Sequence, residues 1–401
     1  MKILIADKFQ ASGIAELKAM GCDVVSQPDT SPEQMAAAVT SVDPDILIVR
    51  GTKVPGDAIK AGQKLALIIR AGAGYDSIDV VTASQCGIYV TNCPGKNSVA
   101  VAEVAWGLIL ACDRRIPDQT ADLRAGKWNK AEYSKARGLK GRTLGIIGTG
   151  QIGMEIASRG KAFGMEIVCW SRSMTADKAE ALEIGHCATL VELAKASDVV
   201  SVSVAANKET VGMMNADFFA AMKPGAFFIN TSRGSVVDHA ALEKAINEKG
   251  VRAGLDVFGE EPGGGTGDFS DSIVKLPGVF GTHHVGASTD QAQDSIAGEA
   301  VRIVQHYLAT GEVCNCVNLA GKTPATSLLT VRHLNKPGVL AHVFDVIDEA
   351  QTNVEEMENI IYDGAHAACA RIQLDSALSS AHIAKIRENP NVLAVDASQI
   401  G

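Results

Sequence analysis

Residues 143–153 read TLGIIGTGQIG: an apolar run from Leu144 to Ile147, then Gly148, Gly150 and Gly153 spaced Gly-x-Gly-x-x-Gly, then a helix-patterned stretch through Met154, Ile156 and Ala157. In a strand-turn-helix unit such glycines let the chain turn tightly. They also bring a pyrophosphate close to the helix N-terminus, where unpaired N–H groups and the helix dipole favour an anion. The motif alone is common, but the strand before it and the helix after it are the context that dinucleotide binding requires. Gly148, Gly150, Gln151, Ile152 and Gly153 are therefore candidate cofactor contacts at the edge of a doubly wound parallel sheet.

Upstream, the runs ILIA, DILIVRG, LALIIRAG and IYVTN alternate with helix-patterned stretches such as SGIAELKAMG, which reads as a first series of parallel β/α units. From Ser98 to about Leu123 apolar residues keep helical spacing, and one long helix joining two lobes is expected there. The second series runs from TLGIIGTG through EIVCWS, DVVSVSVA, GAFFINTS and AGLDVF to VFGTHH. A helix over about Asp290 to Thr310 leads to Asn315 and Val317, and the polar stretch containing Pro324 reads as a linker. Beyond it, SLLTVRH, GVLAHVFDVIDEA, NVEEMENIIYD, HAACARIQL, SAHIAKIRE and VLAVDAS follow the β-α-β-β-α-β order of a ferredoxin-like module. The expected fold class is α/β: two Rossmann-like doubly wound parallel-sheet lobes and a C-terminal ferredoxin-like βαββαβ domain.

A chain of 401 residues has room for two or three domains, and 46% hydrophobic with 21% charged residues suits a globular protein. Lys and Arg total 37 against 46 Asp and Glu, a net charge of -9 that repels polyanions, so nucleic acid is not an expected partner. No window approaches the roughly 20 apolar residues of a membrane span; the stretch Val99 to Cys112 is interrupted by Glu103. The opening MKILIADKFQ has too short an apolar run for a signal peptide, so a cytoplasmic protein with no membrane partner is expected. Nine dispersed cysteines without a Cys-x-x-Cys read as reduced thiols, and no metal site is expected.

The dinucleotide fingerprint also asks for an acid at the end of the next strand, about 20 residues on, to hold the ribose hydroxyls. Ser171-Arg172-Ser173 stands there instead. A guanidinium flanked by hydroxyls suits a 2′-phosphate, so Ser171 and Arg172 point toward NADP.

The chain resembles the D-2-hydroxyacid dehydrogenases over nearly its whole length, and within them the branch that oxidises 3-phospho-D-glycerate. The resemblance rests on VRGTKV, RAGAGYDSID, NCPGKNSVAVAE, GIIGTGQIG, INTSRGSVVD, AGLDVFGEEP and THHVGAST, in the family's order. It implies NAD as the default cofactor and Arg233, Glu261 and His284 as the catalytic residues. The chemistry asks for such a trio. A base near neutral pKa takes the hydroxyl proton while hydride leaves the same carbon, a carboxylate orients that base, and a planar cation binds the substrate carboxylate. His283 stands where the family usually has proline, directly before His284.

The resemblance further implies that Asp256, Thr231 and Ser232 approach the nicotinamide, that Arg50 and Arg70 serve a substrate phosphate, and that backbone around Ala73 and Gly74 meets the substrate carboxylate. Residues 1–98 and 286–319 would form the substrate-binding domain, 99–285 the dinucleotide-binding domain, 320–326 a linker and 327–401 a regulatory domain. The last resembles an ACT domain, with His333, Asn335 and Asn353 matching its amino-acid site; serine is the implied effector, inhibiting the activity, and a homodimer or homotetramer the implied assembly. The function implied is oxidation of 3-phospho-D-glycerate to 3-phosphohydroxypyruvate, the first step of L-serine biosynthesis. A hydroxypyruvate or glyoxylate reductase using NADPH is the alternative within this chemistry, and a non-catalytic dinucleotide-sensing scaffold the alternative outside it.

Overall fold

The computed structural model describes residues 1–262 and 266–400. Gly263, Gly264, Gly265 and Gly401, which fall within the expected dinucleotide-binding and regulatory domains, lie outside the described residues. The chain divides into two units, Met1–Asn318 and Leu319–Gly401.

The first unit holds two parallel sheets. Strands β1 (Lys2–Ile5), β2 (Asp23–Ser26), β3 (Ile46–Val49), β4 (Leu67–Arg70) and β5 (Tyr89–Asn92) pair in the order β2-β1-β3-β4-β5. Strand β2 was not among the runs read from the sequence. It is an edge strand with only Val24 and Val25 partly buried, so it shows no apolar run. After the second sheet the chain returns, and the helix Asp290–Thr310 packs Ile296, Ala300, Ile303 and Val304 against Ile3, Ile5, Ile48 and Ile69.

The second sheet comprises β6 (Thr143–Ile147), β7 (Glu166–Trp170), β8 (Gly185–His186), β9 (Val199–Val202), β10 (Phe227–Asn230), β11 (Arg252–Leu255) and β12 (Val279–Gly281). Their order is β12-β11-β10-β9-β6-β7-β8, so chain order reverses between β6 and β9. Strands β9 and β10 are buried along their whole length, as expected where helices cover both faces of a parallel sheet. On one face Phe219 packs edge-on against Phe228 with ring centroids 5.0 Å apart; on the other lies the helix Ser98–Arg114.

That helix corrects one expectation. The apolar spacing continued to Leu123, but the helix stops at Arg114, Arg115 takes a left-handed conformation at φ 53°, and a separate helix runs over Ile116–Arg124. Pro117 explains the break. It has no N–H to give a continuing helix and its ring would clash with the preceding turn, whereas it is well placed in the first turn of a new one.

The second unit is a four-stranded antiparallel sheet of β13 (Ser327–Leu334), β14 (Val354–Ile361), β15 (Ala367–Leu374) and β16 (Val392–Gln399), ordered β14-β15-β13-β16. The helices Val339–Glu349 and Ser380–Arg387 contribute Val343, Val346, Ile347 and Ile386 to its core with Leu329, Val331, Ala370 and Ile372. This is the βαββαβ arrangement that the sequence predicts.

Candidate active site

The carboxyl ends of the second sheet are level with one another. Ile147 of β6 pairs with Trp170 of β7 and Val202 of β9; Asn230 of β10 pairs with Val202 and Leu255 of β11; Leu255 pairs with Gly281 of β12. Gly148, Ser171, Ser203, Thr231, Asp256 and Thr282 thus follow as one rim, at the edge where open α/β sheets bind ligands.

Each glycine of the turn has a distinct reason to be glycine. Gly148 has φ 92°, and a Cβ there would strike the carbonyl of Ser203. At Gly153 a Cβ would strike the carbonyl of Gly148, so the helix Gln151–Ala162 could not pack so closely on β6. Gly150 differs, for nothing lies within 4 Å of its Cβ position. It caps the helix without a side chain, leaving the first N–H groups with no capping acceptor from it. This cradle suits a pyrophosphate. Ile152 packs against the core behind the turn, while the Gln151 amide lies against Gly95, so it reaches the first sheet's last loop.

Further along the rim, the hydroxyls of Ser203 and Thr231 are buried without a hydrogen-bond partner among the described residues. Ser171 Oγ is 2.9 Å from Thr149 Oγ1, and Arg172 forms an ion pair with Glu209, from the turn after β9. Asn230 shapes the following loop: its Oδ1 accepts from Ser232 N and Oγ at 3.0 and 2.8 Å, and its Nδ2 donates to the Arg233 carbonyl at 2.9 Å. Asp256 is buried, and its carboxylate accepts from the Thr282 hydroxyl at 2.6 Å and from the N–H groups of Val285 and Gly286 at 2.9 and 3.0 Å.

Asp256 thereby clamps the loop on both sides of His284. His284 sits in the left-handed region at φ 52°, an uncommon conformation for a residue with a Cβ. Its Nδ1 lies 2.6 Å from Glu261 Oε2, and Glu261 Oε1 accepts from the Phe258 N–H at 2.9 Å. Burial opposes the charge on Glu261, but the hydrogen bonds from His284 and Phe258 outweigh it and hold the carboxyl below its ordinary range. Among the described residues His284, not His283, is the histidine that meets Glu261.

Arg233 reaches across to the first sheet's loops. Its Nε and one terminal nitrogen donate to the two Asp76 oxygens at 3.0 and 2.9 Å, and the other terminal nitrogen donates to the Ser232 carbonyl at 2.8 Å. Three of the five N–H groups of an arginine are thus engaged and two remain. Burial disfavours the cation, yet the Asp76 hydrogen bonds hold its pKa above the ordinary value. A Cβ on Gly74 would collide with this guanidinium, and one on Gly72 with that of Arg70. The two cations therefore flank the short backbone run that includes Ala73, whose carbonyl accepts from Asn92 at 2.6 Å.

Arg70 Nε is shut off from solvent with no partner among the described residues. Burial, then the neighbouring Arg233 charge, push the Arg70 pKa down to about 10. Arg50 follows β3, where Asp7 holds the loop by accepting from the N–H groups of Arg50, Gly51 and Thr52 at 2.6, 3.2 and 3.2 Å. A half-buried guanidinium whose Nε has no acceptor, beside a second one, favours an anion.

Sequence reasoning missed Asp76, Asn97 and Glu209. Asn97 opens the helix Ser98–Arg114 without capping it, and its Oδ1 is buried and unpartnered among the described residues. The presence of Asn97 within NCPGKN, a polar residue before a helix, is the only local signal, and it reads as an ordinary cap.

In the second unit His333 is buried, with Nδ1 2.8 Å from the Leu334 carbonyl and Nε2 3.2 Å from Asn359 Oδ1. Asn335 is exposed and donates to the Ala365 carbonyl at 3.2 Å; Asn353 is exposed and donates to Glu355 at 2.7 Å. Leu334 pairs with Ala367 at one end of β15, whereas Val354 pairs with Leu374 at the other. Seven residues of strand, about 23 Å, separate Asn353 from His333 and Asn335 within one chain.

Among the described residues no helix is long and apolar enough to cross a membrane, and no group of three or more His, Cys, Asp or Glu is placed to hold a metal ion. The cysteines are free thiols.

A family model described as the NAD-binding domain of D-isomer-specific 2-hydroxyacid dehydrogenases matches residues 106–286. A D-3-phosphoglycerate dehydrogenase of Methanocaldococcus jannaschii is 37% identical over 322 residues, which is 80% of this chain but only 60% of that protein's length. A hydroxypyruvate reductase of Thermotoga maritima is 42% identical over 259 residues, 64% of this chain and 82% of that protein. Among solved structures, an NADPH-dependent glyoxylate/hydroxypyruvate reductase from Sinorhizobium meliloti, in complex with NADP and malonate, superposes with a TM-score of 0.68 at 31% identity. It covers 79% of this chain and 96% of its own.

Proposed function

The chain belongs to the D-isomer-specific 2-hydroxyacid dehydrogenases, and from that premise we propose that it oxidises 3-phospho-D-glycerate to 3-phosphohydroxypyruvate with NAD(P), the first step of L-serine biosynthesis. The observation that carries the phosphorylated substrate is the arginine cluster. Among the described residues Arg70 keeps a buried, unpartnered Nε, and Arg233 adds a second cation paired with Asp76. A monocarboxylate needs one such fork; a substrate with a carboxylate and a phosphate needs more.

The residues divide the chemistry as follows. Glu261 is ionised and accepts only, so His284 carries its proton on Nδ1 and presents Nε2 as the base that takes the substrate hydroxyl proton. Arg233 keeps two N–H groups for the substrate carboxylate and oxygen, while Asp76 and the Ser232 carbonyl hold its plane. Arg70, with Arg50, takes the phosphate. The turn at Gly150, with Ser203 and Thr231 on the same rim, would hold the dinucleotide, which when bound would accept the hydride. Asp256, buried after β11 and bonded to the loop of His284, fixes where the base stands and so serves the nicotinamide end indirectly.

The second unit fits an ACT-type sensor whose effector is serine. Asn335 and Asn353 are exposed at opposite ends of one sheet, so a pocket using both would need two copies of the chain, which supports a homodimer or homotetramer. The buried His333 ring backs the Asn335 end rather than lining it.

A second reading, a hydroxypyruvate or glyoxylate reductase, is favoured by the Thermotoga maritima relative. Arg70→Ala separates the two. On the proposed function it lowers kcat/KM for 3-phosphohydroxypyruvate by about a hundredfold and that for hydroxypyruvate by little. Equal losses on both substrates would favour the second reading.

A further inference from the structure

The Arg172–Glu209 ion pair lies outside the machinery so far described. Arg172 follows β7 and Glu209 lies on the turn after β9, while β6 runs between those strands. Their pair thus spans the carboxyl end of β6, directly where the glycine turn opens and where chain order reverses. That reversal is the crevice in which doubly wound sheets take a dinucleotide.

Both supports are built. Ser171, next to Arg172, is tied to Thr149 of the glycine turn at 2.9 Å. On the other side Asn207 Oδ1 accepts from the N–H groups of Glu209 and Thr210 at 2.9 and 3.2 Å, and the buried Thr210 donates its hydroxyl to the Ala205 carbonyl at 2.6 Å. The backbone under Glu209 is therefore fixed although its side chain is 67% exposed.

We propose that Glu209 is the ribose-selecting acid of this chain, supplied in space from the β9 turn in place of the acid that the end of β7 lacks, and that it makes the protein prefer NAD(H) to NADP(H). A carboxylate accepts hydrogen bonds from a ribose 2′-hydroxyl and repels a 2′-phosphate, which carries about two negative charges. Arg172, its charge already balanced by Glu209, gives a phosphate little net attraction. The sequence leaning toward NADP came from Arg172 read without this partner. The proposal rests on the dinucleotide site and not on the identity of the substrate.

The test is direct binding of NADH and NADPH, followed by nucleotide fluorescence, to wild-type protein, Glu209→Gln and Arg172→Ala. Wild type binds NADH about tenfold more tightly or better, and Glu209→Gln shifts the ratio toward NADPH by about tenfold, mainly by tightening NADPH. Arg172→Ala leaves the Glu209 charge uncompensated and so lowers NADPH binding further while sparing NADH. A wild-type preference for NADPH, or an unchanged ratio in Glu209→Gln, would overturn the assignment. Binding of neither nucleotide would remove the dinucleotide site and this proposal together, whereas the choice of substrate acid leaves the readout untouched.

Discussion

His284 Nδ1 lies 2.6 Å from Glu261 Oε2, and the histidine holds this position from a left-handed backbone conformation. A strained residue kept in place by its neighbours is a common mark of a working site. Asp256 supplies the restraint, taking the hydroxyl of Thr282 and the N–H groups of Val285 and Gly286.

Removing the base should therefore slow turnover without loosening the nucleotide. His284→Ala is expected to lower kcat by about 10²–10⁴-fold with NADH affinity unchanged, and Glu261→Gln to lower it by a smaller factor. Steady-state kinetics with a parallel nucleotide titration checks this; near-normal turnover in His284→Ala would refute the assignment.

The glycine turn separates two effects that look alike in sequence. Gly153→Ala places a Cβ against the Gly148 carbonyl and should cost roughly 1–3 kcal/mol of stability. Gly150→Ala has open space and an ordinary φ of -71°, so it should melt like wild type yet bind dinucleotide poorly, because the Cβ occupies the cradle. Thermal melts and binding titrations on the two variants distinguish them. Normal binding by Gly150→Ala would place the pyrophosphate elsewhere.

The pairing of Arg233 with Asp76 makes stability sensitive to acid. The Asp76 carboxyl is held below its ordinary 3.8, first by hydrogen bonds from Arg233, which with that cation's charge outweigh the burial penalty. A carboxyl with a lowered folded pKa contributes stability above its unfolded value and loses it as pH falls through the folded one. Melting temperature should therefore fall on acidification below about pH 4, and fall less steeply in Asp76→Asn than in wild type. Parallel curves would mean that the pair contributes nothing.

Much of this was legible because it is local. A strand, a spaced glycine turn and a helix lie within the twenty residues from Thr143 to Ala162, and Arg233, Glu261 and His284 each follow a strand of one sheet. Asp76 and Glu209 were not legible because their partners are 157 and 37 residues away, and only the meeting of loops from different strands gives them a role. The break at Arg115 was hidden for another reason: apolar spacing continues through Pro117, and periodicity does not register a missing N–H.

The second unit yields its own expectation. If an amino acid binds between copies, Asn353→Ala should raise the serine concentration needed for half-inhibition by about tenfold while leaving kcat without serine unchanged. An unchanged serine response would take Asn353 out of the effector site. Sedimentation of the full chain with and without serine would show whether two copies meet there.

Arg70 and Arg50 are the groups proposed to read a substrate phosphate. The most direct measurement is kcat/KM of the purified protein for 3-phosphohydroxypyruvate, hydroxypyruvate and glyoxylate, each with NADH and NADPH. A preference of about a hundredfold or more for the phosphorylated acid, lost in Arg70→Ala, is expected. Equal or better use of the unphosphorylated acids would contradict it.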